Sequence, residues 1–322
     1  MTHENNAGRP SIRFLARTVL VMTTLSVVAA SAQTDELTGT AEPCTQQGTW
    51  LQVLGSGGPE ADDGRSSAGY LVWNNGKARV LIDIGPGSLL RFDQSGARIE
   101  DLDVILISHW HVDHSADLPG LVKAAWFTDR QQDLPLLGPD GNDFAPPTTE
   151  AIDSLIGPES AYCYLDDFLD GSGRFRLEVQ NFTATGAALQ TVQISDDLQV
   201  TAIPVHHGPL PALAWRVQIG TRALVFSGDM SGRNQTLPLL AKDADLLVAH
   251  NAVPEGTTGK ALNLHMTPST IGEIAAQANV AQLVLSHRMN RTLGQEQQTR
   301  TAIAARYAGP INFANDSDCF RP

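Results

Sequence analysis

From Trp50 onward the chain breaks into short apolar runs bounded by Gly, Asn, Asp and Pro: Leu51 to Leu54, Tyr70 to Trp73, Arg79 to Ile84 and Val104 to Ile107. Runs of this length and composition predict strands. Asn74-Asn75-Gly76 offers the left-handed residues of a tight turn, so the second and third runs are expected to pair as an antiparallel hairpin. Further strands are expected at Leu198 to Pro204, Ala214 to Ile219, Ala223 to Phe226, Leu246 to Ala249 and Leu283 to Leu285. Helical spacing is expected at Thr149 to Ile156, Leu237 to Ala241, Pro268 to Ala278 and near Gly294 to Tyr307. Thr267 before Pro268 reads as an N-cap followed by proline at the first helical position. The stretch 135–175 mixes Pro, Gly and Asp with Phe144, Tyr162, Tyr164 and Phe168, which reads as a cap-like insertion in a single domain spanning 49–322.

The N-terminus follows another pattern. Arg9, Arg13 and Arg17 precede an apolar run, Val19 to Ala30, that closes on Ala30-Ser31-Ala32. That is the layout of a cleaved signal peptide over residues 1–32, and the run is too short for the roughly 20 residues of a spanning helix. A periplasmic or secreted protein with no stable membrane anchor after cleavage is expected, residues 33–48 forming a polar strap. The compartment admits a disulfide among Cys44, Cys163 and Cys319, and pairing of Cys44 with Cys319 near the two chain ends would leave Cys163 free.

Composition adds one exclusion. The chain carries 22 basic and 35 acidic residues, a net charge of -13, and residues 115–207 hold four basic against fourteen acidic residues. Such a surface opposes polyanions, so nucleic acid is expected to be an unlikely partner and a small-molecule ester the better one.

The chemistry is concentrated in histidine. His109-Trp110-His111-Val112-Asp113-His114 directly follows a predicted strand. In an extended segment His109 and His111 point to one side and can converge on an ion, while Asp113 and His114, past the turn, reach a second. Imidazoles packed this closely repel any protonated neighbour, and a divalent cation removes that penalty. The same strand-then-ligand order recurs at His206-His207-Gly208-Pro209, Ser227-Gly228-Asp229 and Ser286-His287.

With these residues in place the chain resembles the metallo-β-lactamase superfamily, in the branch that holds ribonuclease Z and zinc arylsulfatases. The resemblance runs from Leu51 to His287, through Leu54-Gly55-Ser56-Gly57-Gly58-Pro59, Arg65, Asp83 and the His-x-His-x-Asp-His motif. It implies an α/β (α+β) fold, a four-layer αββα sandwich. It further implies two Zn2+, with Mn2+ or Fe also suited to the donors, one held by His109, His111 and His207, the other by Asp113, His114 and His287, and both bridged by Asp229. His207 is preferred to His206 because the related pattern places its ligand just before a turn such as Gly208-Pro209. By the same resemblance Asp113, His265 and Asp83 form the catalytic group, Asp83 by orienting a ligand histidine and His265, in His265-Met266-Thr267, as general acid. His250-Asn251 departs from the branch, which commonly has His-Glu there, and His250 reads as a packed strand-end residue.

Asp229 counts against lactam hydrolases, which have Cys or Ser there, and the short tail after His287 counts against glyoxalase-type thioester hydrolases. The resulting expectation is an exported hydrolase of small phosphodiesters or sulfate esters, using a water shared by two ions, with Trp126, Phe127 and the aromatics of 162–168 as pocket walls. The alternatives are a lactone or carboxylic ester hydrolase, a ribonuclease Z-like tRNA 3′-processing endonuclease, and a metal-binding or scaffolding protein without turnover.

Overall fold

Alternate residues of each strand face two different cores, and this sets the layering. A computed structural model describes residues 47–322, so the expected leader over 1–32 and residues 33–46 of the strap lie outside the described residues. The first sheet runs in the order β14 (Cys319–Phe320), β1 (Thr49–Gly55), β2 (Gly69–Asn74), β3 (Lys77–Ile84), β4 (Val104–Leu106), β5 (Leu134–Pro139), β6 (Leu177–Phe182). The second runs β13 (Ile311–Phe313), β12 (Leu283–Ser286), β11 (Leu246–His250), β10 (Arg222–Phe226), β9 (Leu210–Ile219), β8 (Leu198–His207), β7 (Gln190–Gln193). In β3, Val80 and Ile82 join the core between the sheets, whereas Ala78, Leu81 and Ile84 pack outward against helices. In β8, Leu198, Val200 and Ala202 point to the same inner core, and Ile203 and Val205 to a third cluster beneath the helices Leu237–Leu240 and Pro268–Gln277. Each fully buried Val, Leu or Ile on these faces contributes roughly 1.5–3 kcal/mol. The αββα sandwich expected from the resemblance is the observed architecture.

The hairpin forms as expected: β2 and β3 pair antiparallel, and Asn75 and Gly76 take φ of 49° and 80°. Thr267 caps the helix Pro268–Gln277, accepting from the Thr270 N–H. The cap-like insertion is narrower than expected. Leu134–Pro139 is a strand hydrogen-bonded to both β4 and β6, with Pro135 near its start and Pro139 at its end where a missing donor is tolerated. The helix Thr148–Ile156 then buries Ile152 and Ile156 in the outer core of the first sheet, so it belongs to the sandwich. No helix among the described residues is long and apolar enough to cross a membrane. Cys319 is disulfide-bonded and Cys163 is an exposed free thiol, while Cys44 lies outside the described residues.

Strand direction decides where chemistry can gather. β3, β4 and β5 are mutually parallel, as are β10, β11 and β12, and β8 runs with β10 because β9 lies antiparallel between them. The C-terminal ends of these strands therefore meet along one edge of the sandwich. Two hydrogen bonds tie the sheets together there: Trp215 Nε1 donates to Ile107 O at 3.1 Å and Leu213 N to Ser108 O at 2.9 Å. Gly228, at φ 56°, permits the approach, since a Cβ there would lie 2.9 Å from Ser108 Cβ.

Candidate metal centre

Every strand reaching that edge from β3, β4, β8, β10, β11 and β12 ends on a histidine or aspartate or hands one to the loop beyond. The first sheet supplies Asp83, His109, His111, Asp113 and His114, and the second His207, Asp229, His250 and His287. All of these except His111 are buried. His109, His111, His207 and Asp229 bring one donor atom each within 4.8 Å of one another, and His114, Asp229, His250 and His287 do the same. Asp229 is common to both groups. Its Oδ2 is 3.8 Å from His207 Nε2 and from His114 Nε2, and its Oδ1 is 3.5 Å from His287 Nε2. Asp113 Oδ2 joins the second group, 3.2 Å from His287 Nε2 and 3.6 Å from His114 Nε2.

The outward nitrogens of His114 and His207 are held from behind, which turns the other nitrogen of each ring inward. His114 Nδ1 donates to Asp83 Oδ2 at 2.8 Å, while the same carboxylate accepts from Ser108 N and Ser108 Oγ at 2.7 Å each. His207 Nδ1 donates to Leu264 O at 3.0 Å. That leaves His207 Nε2 3.3 Å from His111 Nδ1, which lies 2.9 Å from His109 Nε2. His206 points away instead, to Ser231 Oγ at 2.8 Å. The backbone is strained where it aims these groups, since Asp83 and His287 sit at φ 53° and 52°. Gly58 abuts His287, where a Cβ would come within 2.8 Å of the ring's Cε1.

The donor set fits divalent ions. Three imidazole nitrogens meet at hydrogen-bond distance with too few protons to satisfy them in pairs. His114 Nε2 is buried and has no hydrogen-bond partner although it faces two carboxylates. Burial, with His114 and His207 alongside, holds His109 neutral well below the usual histidine range, and burial lowers His207 against the pull of Asp229. Neutral rings are what a metal binds. Burial would also lower His114, but the Asp83 carboxylate outweighs it and raises the group to about 9. Asp113 drops to about 2 because its hydrogen bond to His287 and the charge of His114 overcome desolvation. Carboxylates held ionised among buried rings leave negative charge that a cation neutralises.

Sequence reasoning missed His250. Its Nδ1 lies 2.8 Å from Asp229 Oδ1, and its Nε2 lies 2.9 Å from the Tyr70 hydroxyl, which donates to Ser286 Oγ at 2.9 Å. With both nitrogens engaged, it positions the shared carboxylate. The signal was present, because His250 ends a strand as the other site residues do. His265 is 9% exposed, with a partnerless Nδ1 3.8 Å from Asp229 Oδ2, and burial depresses it to about 4. The expected pocket walls separate. Trp126 and Phe168 pack edge to face at 5.9 Å around a cavity beside Arg174, and Tyr162 alone of that set lines the hollow formed by Trp110 and Val112, the chain neighbours of His111.

A fold of two mixed sheets with histidines and aspartates at one edge defines a metallo-hydrolase class, and the comparisons agree. The pattern that defines the Beta-lactamase superfamily domain matches residues 78–288, and the chain belongs to that family. It is 28% identical to ribonuclease Z of Mycobacterium marinum over 282 residues, covering 83% of this chain and 96% of the relative. Among solved structures it resembles the metallo-β-lactamase fold protein YhfI of Bacillus subtilis (TM-score 0.65, 22% identity, 85% of this chain and 99% of that one). It also resembles the short form of human tRNase Z (TM-score 0.64, 18% identity, 84% and 98%). The ribonuclease Z relative, named for RNA, overturns the expectation that nucleic acid is an unlikely partner. Net charge averages over the whole surface, whereas a substrate meets the field at the site.

Proposed function

We propose that the chain is a two-metal phosphodiesterase, with RNA the first natural phosphodiester to test. One ion is assigned to His109, His111, His207 and Asp229, the other to Asp113, His114, His287 and Asp229, with zinc the expected metal. The meeting of both donor groups at Asp229 carries this reading. When bound, the two ions supply Lewis acidity and an activated water. Asp83 and Leu264 O fix the tautomers of His114 and His207 and so hold the rings in place. His250, backed by Tyr70, sets the plane of the Asp229 carboxylate. His265 is assigned to the leaving oxygen; burial holds it neutral at pH 7, so its ring N–H steadies the negative charge developing there by a hydrogen bond. The leader-like residues 1–32 support export as part of the same proposal.

The test is initial rates of zinc-loaded protein on bis(p-nitrophenyl) phosphate, an RNA with a 3′ extension, p-nitrophenyl sulfate and a lactone, with Asp229→Ala as blank. Metal-dependent turnover of either phosphodiester supports the reading, with RNA cleavage adding the polymer. Turnover of the sulfate or the lactone alone would replace it.

A further inference from the structure

His111 is the one histidine of the centre that is not buried, so solvent reaches the cluster on its side. A hollow of about 510 Å³ is lined by Trp110 and Val112, the chain neighbours of His111, and by Leu210, three residues beyond His207, together with Phe144, Leu155 and Tyr162. None of its lining residues is charged, in a chain of net charge -13. Val112, Phe144 and Tyr162 are 67%, 72% and 43% exposed, an apolar display that ordinary packing would have covered.

These walls are held in position. Trp110 Nε1 donates to Thr148 Oγ1 at 3.0 Å, which fixes the indole. The loop that carries Phe144 is folded around Asn142, whose side chain accepts from Phe144 N at 2.9 Å and donates to Pro209 O at 2.8 Å. Pro209 is two residues from His207, so the Phe144 loop is fastened to the segment that supplies a metal-facing ring.

We propose that this hollow receives a flat aromatic ring of the substrate, joined through the ester to the phosphoryl group held at the centre. The proposal rests on the phosphodiesterase reading and gives its substrate class. Rigid, solvent-facing aromatic side chains bind rings by stacking, and the lack of charge spares an adjoining phosphoryl group any repulsion. A nucleobase and a simple aryl ester share this chemistry.

The experiment is calorimetric binding to the zinc-loaded full chain, using two pairs of ligands that differ only by the ring: phenylphosphonate against methylphosphonate, and adenosine 5′-monophosphate against ribose 5-phosphate. In at least one pair the ring-bearing member should bind about tenfold more tightly, in keeping with stacking on one or two aromatic side chains. Preference in the nucleotide pair identifies a nucleobase, and preference in the phosphonate pair alone an aryl ester. Phe144→Ala, at an exposed position, should abolish the preference and leave methylphosphonate affinity unchanged. Equal affinities within both pairs, or a preference that survives in both Phe144→Ala and Tyr162→Ala, would overturn the proposal. If neither ringless ligand binds, the phosphodiesterase reading fails, and saturation-transfer NMR of phenol and adenosine then judges the hollow by itself. Transfer in native protein that is lost in Phe144→Ala keeps the ring site, and no transfer removes it.

Discussion

Asp83 reaches His114 with a 2.8 Å hydrogen bond from a backbone conformation, φ 53°, that few side chains adopt. The strain is tolerated because the same carboxylate takes two further hydrogen bonds from Ser108. Asp83→Asn keeps the shape and removes the charge. Zinc affinity at the His114 ion should fall by about 10- to 100-fold, with the His109 ion retained, as read by competition with a chromophoric chelator. Equal affinity of both sites in the variant would show that Asp83 is only a turn residue.

Tyr70→Phe deletes the hydroxyl that links His250 to Ser286 and touches no proposed ligand. Stability should fall by about 1 kcal/mol, the cost of one buried hydrogen bond. If His250 sets the Asp229 carboxylate, kcat should also fall with KM unchanged. A stability loss with intact kcat would leave the pair a packing feature.

Gly58 and Gly55 make different predictions. A Cβ at Gly58 meets a movable ring, His287, so Gly58→Ala should fold and lose one ion by elemental analysis. A Cβ at Gly55 would lie 1.7 Å from the backbone oxygen of Ser67, which cannot give way, so Gly55→Ala should not accumulate as folded protein.

The metal-free protein should be most stable near pH 6.5. Burial lowers His250 and His265 to about 4, below their unfolded value, so the unfolded chain binds more protons between pH 4 and 6.5 and stability is lost as pH falls through that window. His114 is raised to about 9, so its contribution is complete below 6.5 and disappears as pH rises through 9. Thermal melts of chelated protein from pH 4 to 10 should trace a dome, and metal loading should raise and flatten it. A melting temperature rising steadily to pH 10 would refute the assignment.

Non-reducing digestion should yield a Cys44–Cys319 peptide and one alkylatable thiol at Cys163. Mass spectrometry of the protein recovered from its native cells should find Gln33 at its N-terminus. An intact Met1 would remove the export proposal.

The strands that carry site residues were legible because each is an apolar run ending in a residue with no packing reason to be there, as Val104 to Leu106 ends before His109. Two of the strands that were missed carry weak patterns for physical reasons. Gln190–Gln193 is an edge strand with no buried residue, and Leu177–Phe182, at the other edge, buries only its two ends. The helix Leu118–Ala125 holds a Pro and a Gly, which hide its period. The ligand candidates came from the histidine motif, its place after predicted strands and the family resemblance, whereas the parts played by His250, Tyr70 and Leu264 O depend on which strands lie side by side. Asn142 could not be found in the sequence at all, since its role is a contact with Pro209, 67 positions away.

The division of the site between the sheets has a consequence for cutting the chain. On the proposed assignment each ion takes ligands from both sides of the exposed segment 185–189: His109 and His111 with His207, and Asp113 and His114 with His287. A protein nicked there would consist of two pieces, neither able to hold either ion by itself. Their reassociation after separation under reducing conditions would then respond steeply to free metal, making the broken molecule a divalent-cation sensor.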